Sequence, residues 1–97
     1  MQKLSEKLIA KYGEPKQIAK VCEELSELSV ALLRVQNKPL TASKAERQNI
    51  LEQYCDVVLV LNHIDTIFNF SEEELKNMFQ KKFLKAKTYL ENSKNGK

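Results

Sequence analysis

Apolar residues recur every three or four positions along nearly the whole chain, and nowhere do they alternate as a half-buried strand requires. In Lys3–Tyr12 the residues Leu4, Leu8, Ile9 and Tyr12 form one stripe, which stops at Gly13, a natural helix end. Pro15 has no N–H to lose in a first turn, so it suits the start of a second helix. That helix should run to about Gln36, with Ile18, Val21, Cys22, Leu25, Leu28, Leu32 and Val35 as its stripe. Asn37 to Ala42 is the one substantial loop. Ser43–Glu46 and Ser71–Glu74 both fit a capping box, in which Ser and Glu satisfy each other's backbone amides. They open a third helix reaching about Asn69 and a fourth reaching about Glu91, leaving 92–97 as a tail expected to fray. The pattern predicts an all-α fold over 1–97, a helical bundle of one short and three long helices.

The third segment differs from the others. Ile50, Leu51, Tyr54, Val57, Val58, Leu59, Val60, Leu61, Ile64, Ile67 and Phe68 surround it on every side. A helix apolar all round must be covered all round. Three partner helices from so short a chain do not suffice, so the bundle is expected to be completed by homo-oligomerisation, as a dimer or a tetramer.

Composition narrows the function. Ninety-seven residues form one domain, and 42% hydrophobic and 30% charged residues with two Gly and two Pro exclude a disordered chain or a turn-rich β-sandwich. No apolar run approaches the roughly 20 residues that span a bilayer, so no membrane partner is expected. The first residues carry charges where a signal peptide would be apolar, which points to a cytoplasmic location. The net charge of +3 comes from the segment after Lys76 and lacks the aromatic-interleaved basic stripe of a nucleic-acid binder, so no nucleic acid is expected. Cys22 and Cys55 do not form a CxxC pair and fall in apolar-periodic segments, which predicts buried, reduced thiols. Ser5, Ser26 and Ser29 have no base beside them in the sequence, and two glycines cannot build a phosphate loop.

Acidic and amide oxygens remain. Glu24 and Glu27, three apart on a helix, point the same way and flank the second helix's apolar stripe. On the third helix Gln53 and Asp56 share a face with Ile50, Val57, Val60 and Ile64. A carboxylate on a buried face must be paired, protonated or cation-bound. If the two helices pack antiparallel, these oxygens converge, and oxygen donors without His or Cys suit Mg²⁺ or Mn²⁺. The competing reading is a solvated face in which Glu23, Glu24 and Glu27 pair with Lys20 and Arg34.

With these residues in view, Gln17 followed by Glu23-Glu24-Leu25-Ser26-Glu27-Leu28 resembles the first motif of the MazG-like, all-α nucleoside triphosphate pyrophosphohydrolases. Glu52-Gln53-Tyr54-Cys55-Asp56-Val57 is similar to the second, 25 residues beyond Glu27. The resemblance implies Mg²⁺-dependent cleavage of a nucleoside triphosphate, NTP or dNTP, to monophosphate and pyrophosphate by an oligomeric bundle. Carried over, it makes Glu24, Glu27 and Asp56 metal ligands, with Glu24 or Glu27 accepting the proton of the attacking water. Where the family has a fourth carboxylate this chain has Gln53. Either Glu52, one turn before Asp56, substitutes for it, or the site is weak, or catalysis is lost. Lys82 and Lys85 are implied as charge-neutralising partners of pyrophosphate, and Gln17 as a substrate contact; His63, seven residues after Asp56 and so on nearly the same helix face, is either a contact to the base or a core or interface histidine. The rival reading is a catalytically silent relative that binds nucleotide or protein through a decayed site.

Overall fold

The computed structural model describes the backbone of residues 2–96 and the side chains of residues 2–93, all of it helix, turn or short connection. Helix α1 spans Gln2–Tyr12, α2 Glu14–Arg34, α3 Lys44–Phe68 and α4 Glu72–Gly96. No strand occurs among the described residues. The all-α expectation therefore holds, with shifted ends. The second helix stops at Arg34 instead of Gln36, and the loop after it contains a single 3-10 turn at Pro39–Thr41. The fourth continues to Gly96, through most of the tail expected to fray; Lys97 lies outside the described residues.

Local chemistry explains the boundaries. Gly13 adopts φ +92°, a left-handed value that a side chain would oppose, and its N–H bonds the Ile9 carbonyl at 2.8 Å. That single residue turns α1 into α2. Ser43 Oγ accepts the Glu46 N–H at 3.0 Å while the Ser43 N–H donates to Glu46 Oε1 at 2.8 Å. That backbone hydrogen bond holds the Glu46 carboxyl below the ordinary carboxylate range. Ser71 and Glu74 repeat the arrangement at 3.0 and 2.8 Å. Asn69, at φ 51°, closes α3 by donating its N–H to the Asp65 carbonyl.

Helices α2 and α3 pack antiparallel along most of their length. Gln17 and His63 line one groove between them, Glu27 and Gln53 a second, and Arg34, Glu46 and Asn49 a third. This register sets Glu24 level with Asp56. Helix α1 lies against both helices at the Gln17–His63 end, where Ser5 joins it to α3.

The core is small. Val21, Ala31, Val35 and Val57 are the buried apolar residues among those described. Ile18, Leu25 and Leu32, expected on the buried stripe of α2, are exposed, because the stripe is wider than one partner helix covers. Cys22 and Cys55 correct the sequence reading: both thiols are free and exposed. Cys22 lies about 100° of helical rotation past buried Val21 and Cys55 about 200° before buried Val57, which carries both off the α2–α3 seam.

Helix α4 stands apart. Among the described residues it makes no packing contact with α1, α2 or α3, and every side chain from Phe68 to Ser93 is exposed. The radius of gyration, 17.4 Å, exceeds the roughly 13 Å of a compact chain of this length. Leu75, Met78, Phe79, Phe83, Leu84, Tyr89 and Leu90 thus lie open on a helix that has no neighbour in its own chain.

Candidate functional site

The middle of α2 gathers carboxylates. Glu23, Glu24 and Glu27 bring one oxygen each within 4.8 Å of the others. Glu24 is the inward member, only 6% exposed, because it lies on the side of α2 that faces α3. Burial pushes its carboxyl above the ordinary carboxylate range, and the Glu27 charge pushes it further. Lys20 opposes the shift, whereas Asp56 and Glu23 add to it. Asp56 therefore acts electrostatically on Glu24 from across the helix pair, although it is not one of the three oxygens in closest convergence.

Lys20 partly neutralises the group. Its ammonium lies 3.1 Å from Glu23 Oε1 and 3.7 Å from Glu24 Oε1, and the Glu23 hydrogen bond pushes the lysine's pKa up. One lysine cannot balance three glutamates and the aspartate facing them. Arg34 forms no ion pair among the described residues, so the second cation of the solvated-face reading does not engage.

Gln53 supplies the most informative atom. The side chain lines the second groove with Ser26, Glu27, Val30, Ala31, Arg34 and Asn49, and its Oε1 is buried. That oxygen has no hydrogen-bond partner among the described residues. A buried acceptor without a donor costs about 1–3 kcal/mol. Beside carboxylates, which can only accept, such an oxygen is chemically suited to a hard cation.

The remaining candidates divide. Glu52, offered as a replacement ligand, is exposed and accepts from Gln48 Nε2 at 3.4 Å, outside the convergent group. Asp56 is exposed, not buried on an apolar face, because the α3 side that carries it reaches the edge of the seam. Lys82 and Lys85 lie on α4 and reach no part of this centre within one chain. Glu23, which the sequence places only in the solvated-face alternative, pairs with Lys20 as that alternative expects and also brings an oxygen into the convergent group.

Gln17 and His63 are brought together at the α1 end, in a groove of about 490 Å³ that also includes Tyr12, Lys16, Lys20 and Glu23. Gln17 is 7% exposed and His63 4%. His63 Nδ1 lies 2.8 Å from Ser5 Oγ, and Asn62 Nδ2 donates to the same oxygen at 3.1 Å. Ser5 therefore does have an imidazole beside it, contributed by a residue distant in sequence. The serine is fully buried, however, so no substrate carbonyl or phosphoryl group reaches its oxygen. Burial alone pushes the His63 pKa down, which keeps the ring neutral at pH 7.

Comparison of the chain with protein-family models, with curated proteins and with solved structures gave no match.

Proposed function

We propose that the chain is a divalent-cation-dependent nucleoside triphosphate pyrophosphohydrolase, working as a homo-oligomer. The observation that carries this reading is the unpartnered, buried Gln53 Oε1 in the groove it shares with Glu27, a member of the Glu23–Glu24–Glu27 cluster. Three carboxylates and a free amide oxygen form a hard donor set that matches Mg²⁺ or Mn²⁺ and lacks the His or Cys of a zinc site. Glu24, Glu27 and Gln53 would hold the ion, with Asp56 facing them from α3. When bound, the ion supplies charge neutralisation for a triphosphate and a more acidic attacking water.

The protein's own groups do the rest. A carboxylate of the cluster, Glu24 or Glu27, would accept the proton of the attacking water, and burial and acidic neighbours raise the proton affinity of Glu24. Lys20, already at the cluster, provides a positive charge beside the incoming phosphates. Lys82 and Lys85 serve the departing pyrophosphate only from a second copy, because α4 does not approach the cluster of its own chain. The open apolar faces of α2, α3 and α4 support that second copy. An exposed apolar surface of this extent marks an interface in a folded protein.

The test is pyrophosphate release from a panel of NTPs and dNTPs in Mg²⁺, Mn²⁺ or EDTA. The expected result is turnover in both metals, loss in EDTA, and a fall of at least 100-fold in Glu24→Gln. Equal rates in metal and EDTA, or an unaffected Glu24→Gln, would contradict the proposal.

A further inference from the structure

The groove that holds Gln53 contains opposite charges that do not meet. Glu27 and Arg34 both line it, in a space of about 300 Å³, and neither forms an ion pair among the described residues. Seven residues apart on α2, they share nearly one face and are separated by about 10 Å of helix rise. Arg34 also makes no side-chain hydrogen bond among the described residues, and neither does the half-buried Asn49 that α3 contributes to the same groove. The guanidinium therefore brings its donors and a full charge to the groove with no described residue to take them.

The neighbouring carboxylate is already engaged. Ala31, Arg34 and Asn49 also line an adjoining groove of about 230 Å³ with Ala45 and Glu46, so the two grooves are contiguous and Arg34 stands at their junction. Glu46 accepts the Ser43 N–H at 2.8 Å and lies 3.5 Å from Lys38 Nζ, which ties its carboxylate to the start of α3. At the other end, Glu27 and the buried Gln53 Oε1 offer acceptors, the atoms proposed above to hold the cation. A single ligand satisfies both ends if it carries a divalent cation on one side and anionic oxygens on the other. Phosphate oxygens do this, because they coordinate a hard cation and also take a guanidinium's paired N–H groups side by side. The charges lie about two helical turns apart, which favours two linked phosphates over one.

We infer that this groove binds the β- and γ-phosphates of the nucleotide, with Arg34 donating to their oxygens, Asn49 adding an amide donor, and the Glu27–Gln53 end holding the bridging cation. Arg34 is then a substrate-binding residue that also holds the departing pyrophosphate. It places a positive charge at the leaving group within one chain, before Lys82 or Lys85 arrives from a second copy. Of Lys20 and Arg34, the two cations of the solvated-face reading, Lys20 is engaged with Glu23 at 3.1 Å and Arg34 has its hydrogen bonds still free. A lysine in place of Arg34 does the same work only in part. Its ammonium is a point charge, whereas the guanidinium fork holds two oxygens at once.

This inference rests on the pyrophosphohydrolase reading of the adjoining cluster, and its test separates the two. Inorganic pyrophosphate is titrated by calorimetry into wild type, Arg34→Gln and Arg34→Lys, in Mg²⁺ and in EDTA. The chain has two arginines, Arg34 and Arg47, so NMR of the guanidinium Nε–H groups gives a local probe, and the amide spectrum reports folding. Expected are Mg²⁺-dependent binding by wild type with a shift of the Arg34 signal and not of Arg47, at least tenfold weaker binding by Arg34→Gln, and partial recovery in Arg34→Lys. No binding by wild type, equal binding in EDTA, an unmoved Arg34 signal, or undiminished binding by a folded Arg34→Gln would overturn the inference. The wild-type Arg34 signal decides the matter if the variant does not fold. Pyrophosphate release from NTPs is then measured on the same proteins. Metal-dependent hydrolysis with KM unchanged in Arg34→Gln would overturn the phosphate assignment and leave the proposed activity standing. Arg34-dependent binding of pyrophosphate in Mg²⁺, with no hydrolysis of any NTP, would uphold the groove and contradict the activity.

Discussion

Helices α3 and α4 are equal in length, 25 residues each, and each begins with a Ser–Glu capping box of nearly the same geometry. Their fates in the chain are opposite. Helix α3 buries Val57 and His63 against α2 and α1, whereas α4 buries none of its described side chains, and Phe83 remains 73% exposed. Local signals therefore start a helix but do not assign its neighbours. Most helix stability in proteins comes from packing an apolar face. Helix α4 has that face and lacks the packing within its own chain, and a second copy is the partner we propose for it.

The sharpest way to break the comparison is to substitute one residue on each helix. Val57→Ala removes two buried methylenes' worth of packing and should cost about 2 kcal/mol of folding stability, counting the space left behind. Phe83→Asp would cost nothing if α4 were free in solution. If a second copy covers it, each lost phenyl contact removes about 2–3 kcal/mol, and the dissociation constant should rise by at least 100-fold. Sedimentation equilibrium distinguishes the outcomes: wild type at least a dimer of the 11.2 kDa chain, Phe83→Asp shifted towards monomer. Monomeric wild type would remove the explanation offered for α4.

A smaller effect sharpens the contrast at the carboxylate centre. Glu24 has a folded-state pKa above its unfolded value, so the metal-free protein binds more protons folded than unfolded. Its stability should fall as pH rises from about 4.5, the ordinary glutamate value, through the raised pKa. His63, with its pKa depressed by burial, acts from the other side, and stability is lost as pH falls below 6.5. Glu24→Gln should match wild type at the acidic end and become more stable than wild type as pH rises. Millimolar Mg²⁺ should abolish that advantage, since a ligand at ~100 times its dissociation constant adds about 2.7 kcal/mol to the form that binds it. Thermal melts across pH, with Mg²⁺ or EDTA, measure both; superimposable wild-type melts would show that the carboxylates do not bind the ion.

How much of this was legible beforehand varied with the range of the interaction. Capping boxes, Gly13 and the helical period are local chemistry, and they predict all four helices with ends shifted by at most five residues. The level placement of Glu24 with Asp56 followed from antiparallel packing of two adjacent helices, also accessible to pattern. Burial was harder to read. Cys22, Cys55, Ile18 and Leu25 look like core because periodicity shows which face is apolar but not how wide a face one neighbour covers. The Ser5–His63 pairing joins residues 58 apart, a tertiary contact that no local spacing encodes. The isolation of α4 was equally invisible, since its pattern matches that of a packed helix.

The central claim is that the α2–α3 carboxylates and Gln53 form a working cation site, and Gln53 is its most direct handle. Pyrophosphate release should be measured against Mg²⁺ concentration for wild type, Gln53→Glu and Gln53→Leu. A fourth negative donor should lower the half-saturating Mg²⁺ concentration by about tenfold in Gln53→Glu, the direction expected when ligand charge sets affinity for a hard cation. Gln53→Leu, which removes the buried oxygen, should raise it by a similar factor. Three superimposable Mg²⁺ curves, or no Mg²⁺-dependent release from any of the three proteins, would contradict the account.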